Sequence, residues 1–282
     1  MIVTRFAPSP TGRLHLGHAY SALLAYRAAM EAGGRFLLRI EDIDPVRCRP
    51  EYTEAIFEDL RWLGLVWEEP VRKQSEHLGD YERVLERLRG MGLLYPCFCT
   101  RSEVEAEVAA AGHAPHLAKK GPDGPVYPGT CRGLSPEERR RMMGERQAVW
   151  RLDMGKACAA AGPLVWHDRE KGDVQAHPEA FGDVVLARKD VPASYHLSVT
   201  ADDALHGVTL VTRGEDLFRA TDIHCLLQKL LGYPTPEYHH HKLLVDESGK
   251  RYAKRDKAVT LRALRESGQT AEEVRKMIES GL

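Results

Sequence analysis

The sequence predicts an α/β fold in which a discontinuous parallel sheet is interrupted by an insertion and followed by a short helical tail. Three observations predict it. The chain opens as strand, helix, strand; its composition changes abruptly after Leu94; and strand-like runs return at 183–188 and 207–213. The elements follow in order. IVTRFA reads as a short buried strand, and the prolines and glycine of PSPTG forbid helix directly after it. From about His18 to Met30 the chain is rich in Ala and Leu with no breaker before Gly33 and Gly34, so a helix is expected there. RFLLRI is the second strand, ending at the acidic EDID. In such sheets ligands sit beyond the carboxyl ends of the strands, where both PSPTG and EDID fall.

Tyr52, Ile56, Leu60 and Leu63 keep one helical face, as do Leu78, Tyr81, Leu85 and Leu88, and core packing accounts for both. Residues 95–182 hold four of the six cysteines together with GHAPHLAKKGPDGPVYPGT and SPEERRRMMGERQ, the composition of an insertion. DVVLAR at 183–188 and GVTLVTR at 207–213 read as the first sheet resumed. The tail from Gly232 carries a turn-rich segment, the basic SGKRYAKRDK and a final amphipathic helix. The expected units are therefore 1–94 and 183–236 for the two halves of the sheet domain, 95–182 for the insertion, and 237–282 for the basic loop and tail.

Length and composition bound the function. The 282 residues are 43% hydrophobic, with 40 Lys+Arg against 41 Asp+Glu, which excludes disordered, collagen-like and mini-protein classes. No stretch approaches the roughly 18 apolar residues of a membrane span, and MIVTRFAPSP lacks the pattern of an export signal, so a cytoplasmic protein without a membrane partner is expected. A polyanion could be met only by a segregated positive face.

Four groups of residues carry chemistry. In RFAPSPTGRLHLGH, His15 and His18 are three apart and share a face if a helix begins there; a helix start offers unpaired N–H groups to a triphosphate, and Gly17 lets a flat base lie against the backbone. Arg5, Glu41 and Arg213 end strands that can converge on one crevice, where guanidinium forks take carboxylates and Glu41 accepts from an ammonium: a pocket for an amino acid, fitting one with an acidic side chain. KRYAKRDK places Lys250, Arg251, Lys254, Arg255 and Lys257 in one loop able to close on phosphates. Cys97, Cys99 and Cys131 could hold zinc, with His113 or His116 as the fourth ligand on spacing alone, whereas Cys48, Cys158 and Cys225 look solitary and structural.

Taken together, RFAPSPTGRLHLGH, LLRIEDIDP, QSEHLGDY, LYPCFCT and GVTLVTRGEDL resemble, in that order, the catalytic core of class I glutamyl-tRNA synthetases over roughly residues 1–260. HLGH stands where that family has HIGH. KRYAKRD stands where it has KMSKS, with only Lys254 matching a lysine of the motif in register, Arg251 keeping the first charge, and Arg255 replacing the last serine. The sequence stops 28 residues past Lys254, without the helical domain that reads the anticodon, so it is most similar to the glutamyl-queuosine tRNA(Asp) synthetase branch. The resemblance implies a Rossmann-like class I core and two steps. ATP, with Mg²⁺, and L-glutamate give glutamyl-adenylate, and glutamate then passes to queuosine in the anticodon of tRNA(Asp). It implies that His15, Gly17, His18 and Lys254 meet ATP, and that Arg5, Ala7, Ser9, Glu41, Tyr195 and Arg213 hold glutamate. It also replaces a histidine with a tyrosine in the zinc set, giving Cys97, Cys99, Tyr127 and Cys131 as ligands of one structural Zn²⁺. A monomer is expected. The alternatives are a minimal glutamyl-tRNA synthetase charging a tRNA 3′ end, and a non-catalytic RNA-binding paralogue.

Overall fold

The computed structural model describes residues 1–111, 120–244 and 259–280. Its first part alternates β1 (Val3–Phe6), α1 (Leu16–Glu31), β2 (Arg35–Ile40), α2 (Pro50–Trp62), β3 (Glu68–Lys73) and α3 (Leu78–Gly90). The middle runs through β4 (Leu94–Cys97), α4 (Arg101–Ala111), β5 (Lys120–Gly121), β6 (Gly124–Pro125), α5 (Pro136–Glu145), β7 (Val149–Leu152), α6 (Met154–Ala161), β8 (Val165–Asp168), β9 (Gly172–Gln175) and β10 (Val185–Ala187). The last part holds α7 (Tyr195–Leu205), β11 (Leu210–Gly214), α8 (Ala220–Leu231), β12 (Glu237–His241), α9 (Leu261–Glu266) and α10 (Ala271–Ser280).

β1, β2 and β3 form a parallel sheet in that order. A second sheet has the order β11-β12-β8-β9, with β11 and β12 parallel. The two meet at β1 and β11: Thr209 N donates to the Val3 carbonyl at 2.9 Å, Val3 N donates to Thr209 Oγ1 at 2.8 Å, and Arg5 reaches the Thr212 carbonyl at 3.4 Å. Residues 3 and 5 thus match 209 and 212 in the same direction, and the carboxyl ends of β1, β2, β11 and β12 open on one edge.

One expectation needs correction. The run at 183–188 does not resume the first sheet: Val185–Ala187 pairs antiparallel with β7, which pairs with β4, in a separate three-stranded sheet. An apolar run identifies a strand but not its neighbour. The β8–β9 hairpin, from the middle of the chain, lies instead against β12 through the Tyr238–Asp168 pairing.

Helix α1 explains how the first crossover is made. Ala19, Ala22, Ala25 and Ala29 are fully buried, and their small side chains let the helix lie close on β1, where Thr4 Oγ1 donates to the Ala25 carbonyl at 2.7 Å. Enlarging one of them overpacks the contact, at a cost of about 1–3 kcal/mol. The helix stops at Gly33, with φ of 56°, and at Gly34 a Cβ would lie 2.1 Å from the Ile2 carbonyl oxygen, so the return into β2 demands glycine. Pro50 starts α2 at a position that needs no N–H donor, and Ile56, Leu60 and Leu63 of that segment are fully buried. Leu261, Leu264, Val274 and Ile278 of α9 and α10 complete the same core. No helix among the described residues is long and apolar enough to cross a membrane.

Candidate active site and metal centre

The first chemical feature is the start of α1. His15 is the N-cap, in extended conformation, and its Nδ1 accepts from Gly17 N at 3.1 Å, while His18 Nδ1 accepts from His15 N at 3.2 Å. Each histidine therefore serves as the side-chain half of a reciprocal cap. The two rings lie 3.8 Å apart between centroids. A Cβ at Gly17 would come within 3.1 Å of the His15 ring, so the glycine makes room for the imidazole as well as for any ligand over the backbone. Leu261 N donates to the Leu14 carbonyl at 2.9 Å and Thr260 bridges to His15, which seats the start of α9 on this turn. Lys254, with the rest of the basic loop, lies outside the described residues, as do His113 and His116.

The second feature is a buried charged pocket at the carboxyl ends of β1, β2 and β11. Arg5 pairs with Asp203 at 3.1 Å. Arg39, only 1% exposed, contacts Asp203 at 2.7 Å, Glu41 at 3.1 Å and Asp202 at 3.6 Å. Burial opposes its charge, yet Arg5 and Arg39 hold the Asp203 carboxyl below the ordinary range. For Glu41 burial prevails and raises the carboxyl above its ordinary value, with Arg39 and Arg5 pulling the other way. Arg213 has different company: it donates to His240 Nε2 at 3.1 Å, His224 Nδ1 at 3.1 Å, Tyr195 Oη at 3.4 Å and Thr221 Oγ1. Burial raises the Tyr195 phenol, with Arg213 opposing and Glu41 adding to the rise. The structure thus brings Arg5, Glu41, Tyr195 and Arg213 into one electrostatic neighbourhood. Ala7 is half-buried and Ser9 exposed; the Pro8 carbonyl between them accepts from Glu41 N at 3.1 Å, which fixes their turn beside the pocket.

The third feature is the cysteine cluster. The sulfurs of Cys97, Cys99 and Cys131 lie within 4.8 Å of one another. Tyr127 Oη is 3.4 Å from Cys97 Sγ and 3.6 Å from Cys99 Sγ, and Cys99 and Cys131 are 3.5 Å apart. Zinc–sulfur bonds of about 2.3 Å in a tetrahedron give ligand–ligand edges of about 3.8 Å, slightly shorter where oxygen is one ligand, so this donor set fits the ion. Burial pushes the Cys99 thiol up to about 12 and raises the Tyr127 phenol, so holding these groups together as anions takes a cation. Tyr127 also lies under the Arg151 guanidinium, 3.9 Å from its ring centroid.

The chain matches the family described as tRNA synthetases class I (E and Q), catalytic domain, over residues 1–280. It is 48% identical to a glutamyl-Q tRNA(Asp) synthetase of Rhodobacter capsulatus, an alignment covering 98% of this chain and 99% of that protein. The chain belongs to the glutamyl-Q tRNA(Asp) synthetase family. A glutamate–tRNA ligase of Aquifex aeolicus is 40% identical, but the alignment spans 96% of this chain and only 55% of the ligase. The glutamate tRNA ligase of Elizabethkingia meningosepticum, solved in complex with its amino acid, superposes with a TM-score of 0.82 at 28% identity; the match covers 98% of this chain and 60% of that one.

For this glutamyl-Q synthetase relative, sequence reading missed the residues that organise the pocket. Arg39, Asp202 and Asp203 form its charged floor, and His224, Thr221 and His240 surround Arg213, with Asp168 behind His240. Arg39 had a signal, being the one charge inside the apolar LLRI. Asp202 and Asp203, buried on α7, had another, since adjacent carboxylates inside an apolar helix face demand cationic partners. The histidines of β12 had none.

Proposed function

We propose that this chain activates L-glutamate with ATP to glutamyl-adenylate and transfers the glutamyl group to queuosine in the anticodon of tRNA(Asp). The observation that carries the reading is a buried Arg213 whose partners among the described residues are neutral, beside a Glu41 carboxyl and the Tyr195 hydroxyl. This is a complement to an amino acid: a cation for a carboxylate, a carboxyl for the ammonium, a hydroxyl to orient them. The near end-to-end likeness to the Rhodobacter enzyme supports the RNA acceptor.

In the first step a carboxylate oxygen of glutamate attacks the α-phosphorus of ATP and pyrophosphate leaves. His15 and His18, with Nδ1 occupied by backbone N–H, donate from Nε2 to the phosphate oxygens. Mg²⁺ bound with ATP supplies charge compensation at the phosphates. Lys254 follows the departing pyrophosphate in this reading; before its segment Leu244 shares a buried core with Leu14, and after it Thr260 bridges to His15, which favours it. Arg5, Ala7, Ser9, Glu41, Tyr195 and Arg213 form the glutamate pocket. Glutamine leaves a buried guanidinium without its anion, a mismatch that can reach roughly 10⁴–10⁵ in specificity. In the second step a hydroxyl of the queuosine ring attacks the activated carbonyl and AMP leaves. Cys97, Cys99, Tyr127 and Cys131 would hold a structural zinc, which braces the insertion and leaves no open coordination position.

The test is glutamate-dependent ATP–pyrophosphate exchange without RNA, followed by labelling of queuosine-containing tRNA(Asp) and nuclease mapping of the attached glutamate. Label in the anticodon fragment supports the reading. Label at the 3′ end of tRNA(Glu) moves the chain to the second reading, a minimal glutamyl-tRNA synthetase, which the Aquifex likeness favours. Absence of exchange leaves a non-catalytic paralogue.

A further inference from the structure

Among the buried arginines of the pocket, Arg5 and Arg39 are neutralised by carboxylates of the protein itself, while Arg213 is not: among the described residues its ion-pair shell is empty and every hydrogen-bond partner is an imidazole or a hydroxyl. Behind Arg213 stands a second pair that the proposed mechanism does not use. His240 Nδ1 lies 2.8 Å from Asp168 Oδ2, and both side chains are 0% exposed. Asp168 is immobilised in turn by the backbone N–H groups of His240 at 3.1 Å, Glu170 at 3.0 Å and Lys171 at 3.1 Å. These residues come from two strands, β8 and β12, that meet at the Tyr238–Asp168 pairing.

The donor logic fixes the protons. Arginine can only donate, so the His240 Nε2 that meets Arg213 Nε at 3.1 Å presents a lone pair. The single ring proton then sits on Nδ1 and is given to Asp168. The same reasoning at His224 puts its lone pair on Nδ1, toward Arg213, and its proton on Nε2, toward His196 Nδ1 at 3.1 Å.

We propose that Asp168 and His240 are positioning residues for substrate carboxylate recognition: Asp168 locks His240 as the Nδ1–H tautomer, and the locked ring grips Arg213 through a neutral acceptor. A carboxylate set directly against Arg213 would give firmer placement but would compete with the substrate for the cation. An imidazole backed by a carboxylate one ring further away orients the guanidinium and leaves its charge to be answered by the ligand. The inference rests on the amino-acid pocket proposed above and names what sets its selectivity for an anion.

The amides of asparagine and glutamine separate the two halves of the device. His240→Asn keeps a donor near the Nδ1 position for Asp168 and loses the acceptor for Arg213; His240→Gln places an amide oxygen near the Nε2 position and keeps it. In ATP–pyrophosphate exchange, His240→Asn should raise the KM for glutamate roughly 10- to 100-fold, the range for losing a hydrogen bond to a charged group, while the KM for ATP stays within about twofold. His240→Gln should recover most of the loss. Equal behaviour of the two variants, or a parallel rise in both KM values, overturns the proposal in favour of a merely structural pair. If His240→Asn does not fold, the ¹⁵N spectrum of the unmodified protein decides: His240 must be neutral with its proton on Nδ1, and an Nε2–H signal overturns the assignment. Failure of the unmodified protein to exchange with glutamate is a separate result that sinks the proposed function and not the tautomer.

Discussion

Arg39→Met isolates the charged floor of the pocket. Methionine keeps an apolar stem of similar reach and removes the guanidinium that contacts Asp203 at 2.7 Å, Glu41 at 3.1 Å and Asp202 at 3.6 Å. Removing one partner from a buried ion pair typically costs about 3–5 kcal/mol, because the partner stays buried and unpaired. Arg5 still reaches Asp203, and Arg72 still reaches Asp202 at 2.8 Å, which places the loss near the lower figure. For 282 residues at about 2.1 cal/mol/K each, the unfolding entropy is about 0.6 kcal/mol/K, so the midpoint should fall by about 5 °C. Scanning calorimetry at neutral and at mildly acidic pH checks the cause as well as the size. Asp203 is held below its ordinary range, so its pairing stabilises the protein above its unfolded pKa and fades as pH falls through the folded one. Glu41 is already raised by burial and rises further without Arg39, so acid neutralises the orphaned group in the variant first. The gap between the two proteins must therefore narrow on acidification. A loss under about 1 °C, or a gap that does not change with pH, refutes the assignment of Arg39 as the counter-charge.

Other perturbations address the remaining parts. Because burial raises Glu41, and a substrate ammonium favours its ionised form, the KM for glutamate should climb as pH falls through that raised pKa; Glu41→Gln should give a high KM that is flat with pH, read by exchange kinetics. Gly17→Ala puts a methyl within 3.1 Å of the His15 ring and should raise the KM for ATP more than that for glutamate, measured in the same assay. Metal analysis of the purified protein should find close to one zinc per chain, lost together with several degrees of thermal stability in the Cys97→Ser, Cys99→Ser double variant.

Much of the fold was legible because its signals are local. IVTRFA, the Ala-rich helix and RFLLRI carry their own periodicity and breakers, and β1, α1 and β2 follow them within a few residues. What failed was pairing. Nothing inside DVVLAR says that β10 joins β7 and not β1, since neighbour choice is set by chain path. β12 was invisible for another reason: EYHHH has no apolar alternation, and Tyr238, His240 and His241 are buried because partners from Gln228, Asp168 and Ser21 satisfy their polar atoms. In the site, Arg5, Glu41 and Arg213 could be proposed from their place at strand ends. Asp203 could not be matched to Arg5 across 198 positions, because an ion pair between distant segments leaves no spacing to read.

The turn that begins α1 ties acid–base behaviour to folding. Each imidazole has surrendered its basic nitrogen to a main-chain amide, so neither His15 nor His18 can pick up a further proton without unstitching the first coil of the helix. In the proposed adenylation both rings would therefore act as donors from Nε2 and not as proton acceptors. The aim of these two rings and the integrity of residues 15–18 are thus one property, set by the same two main-chain amides.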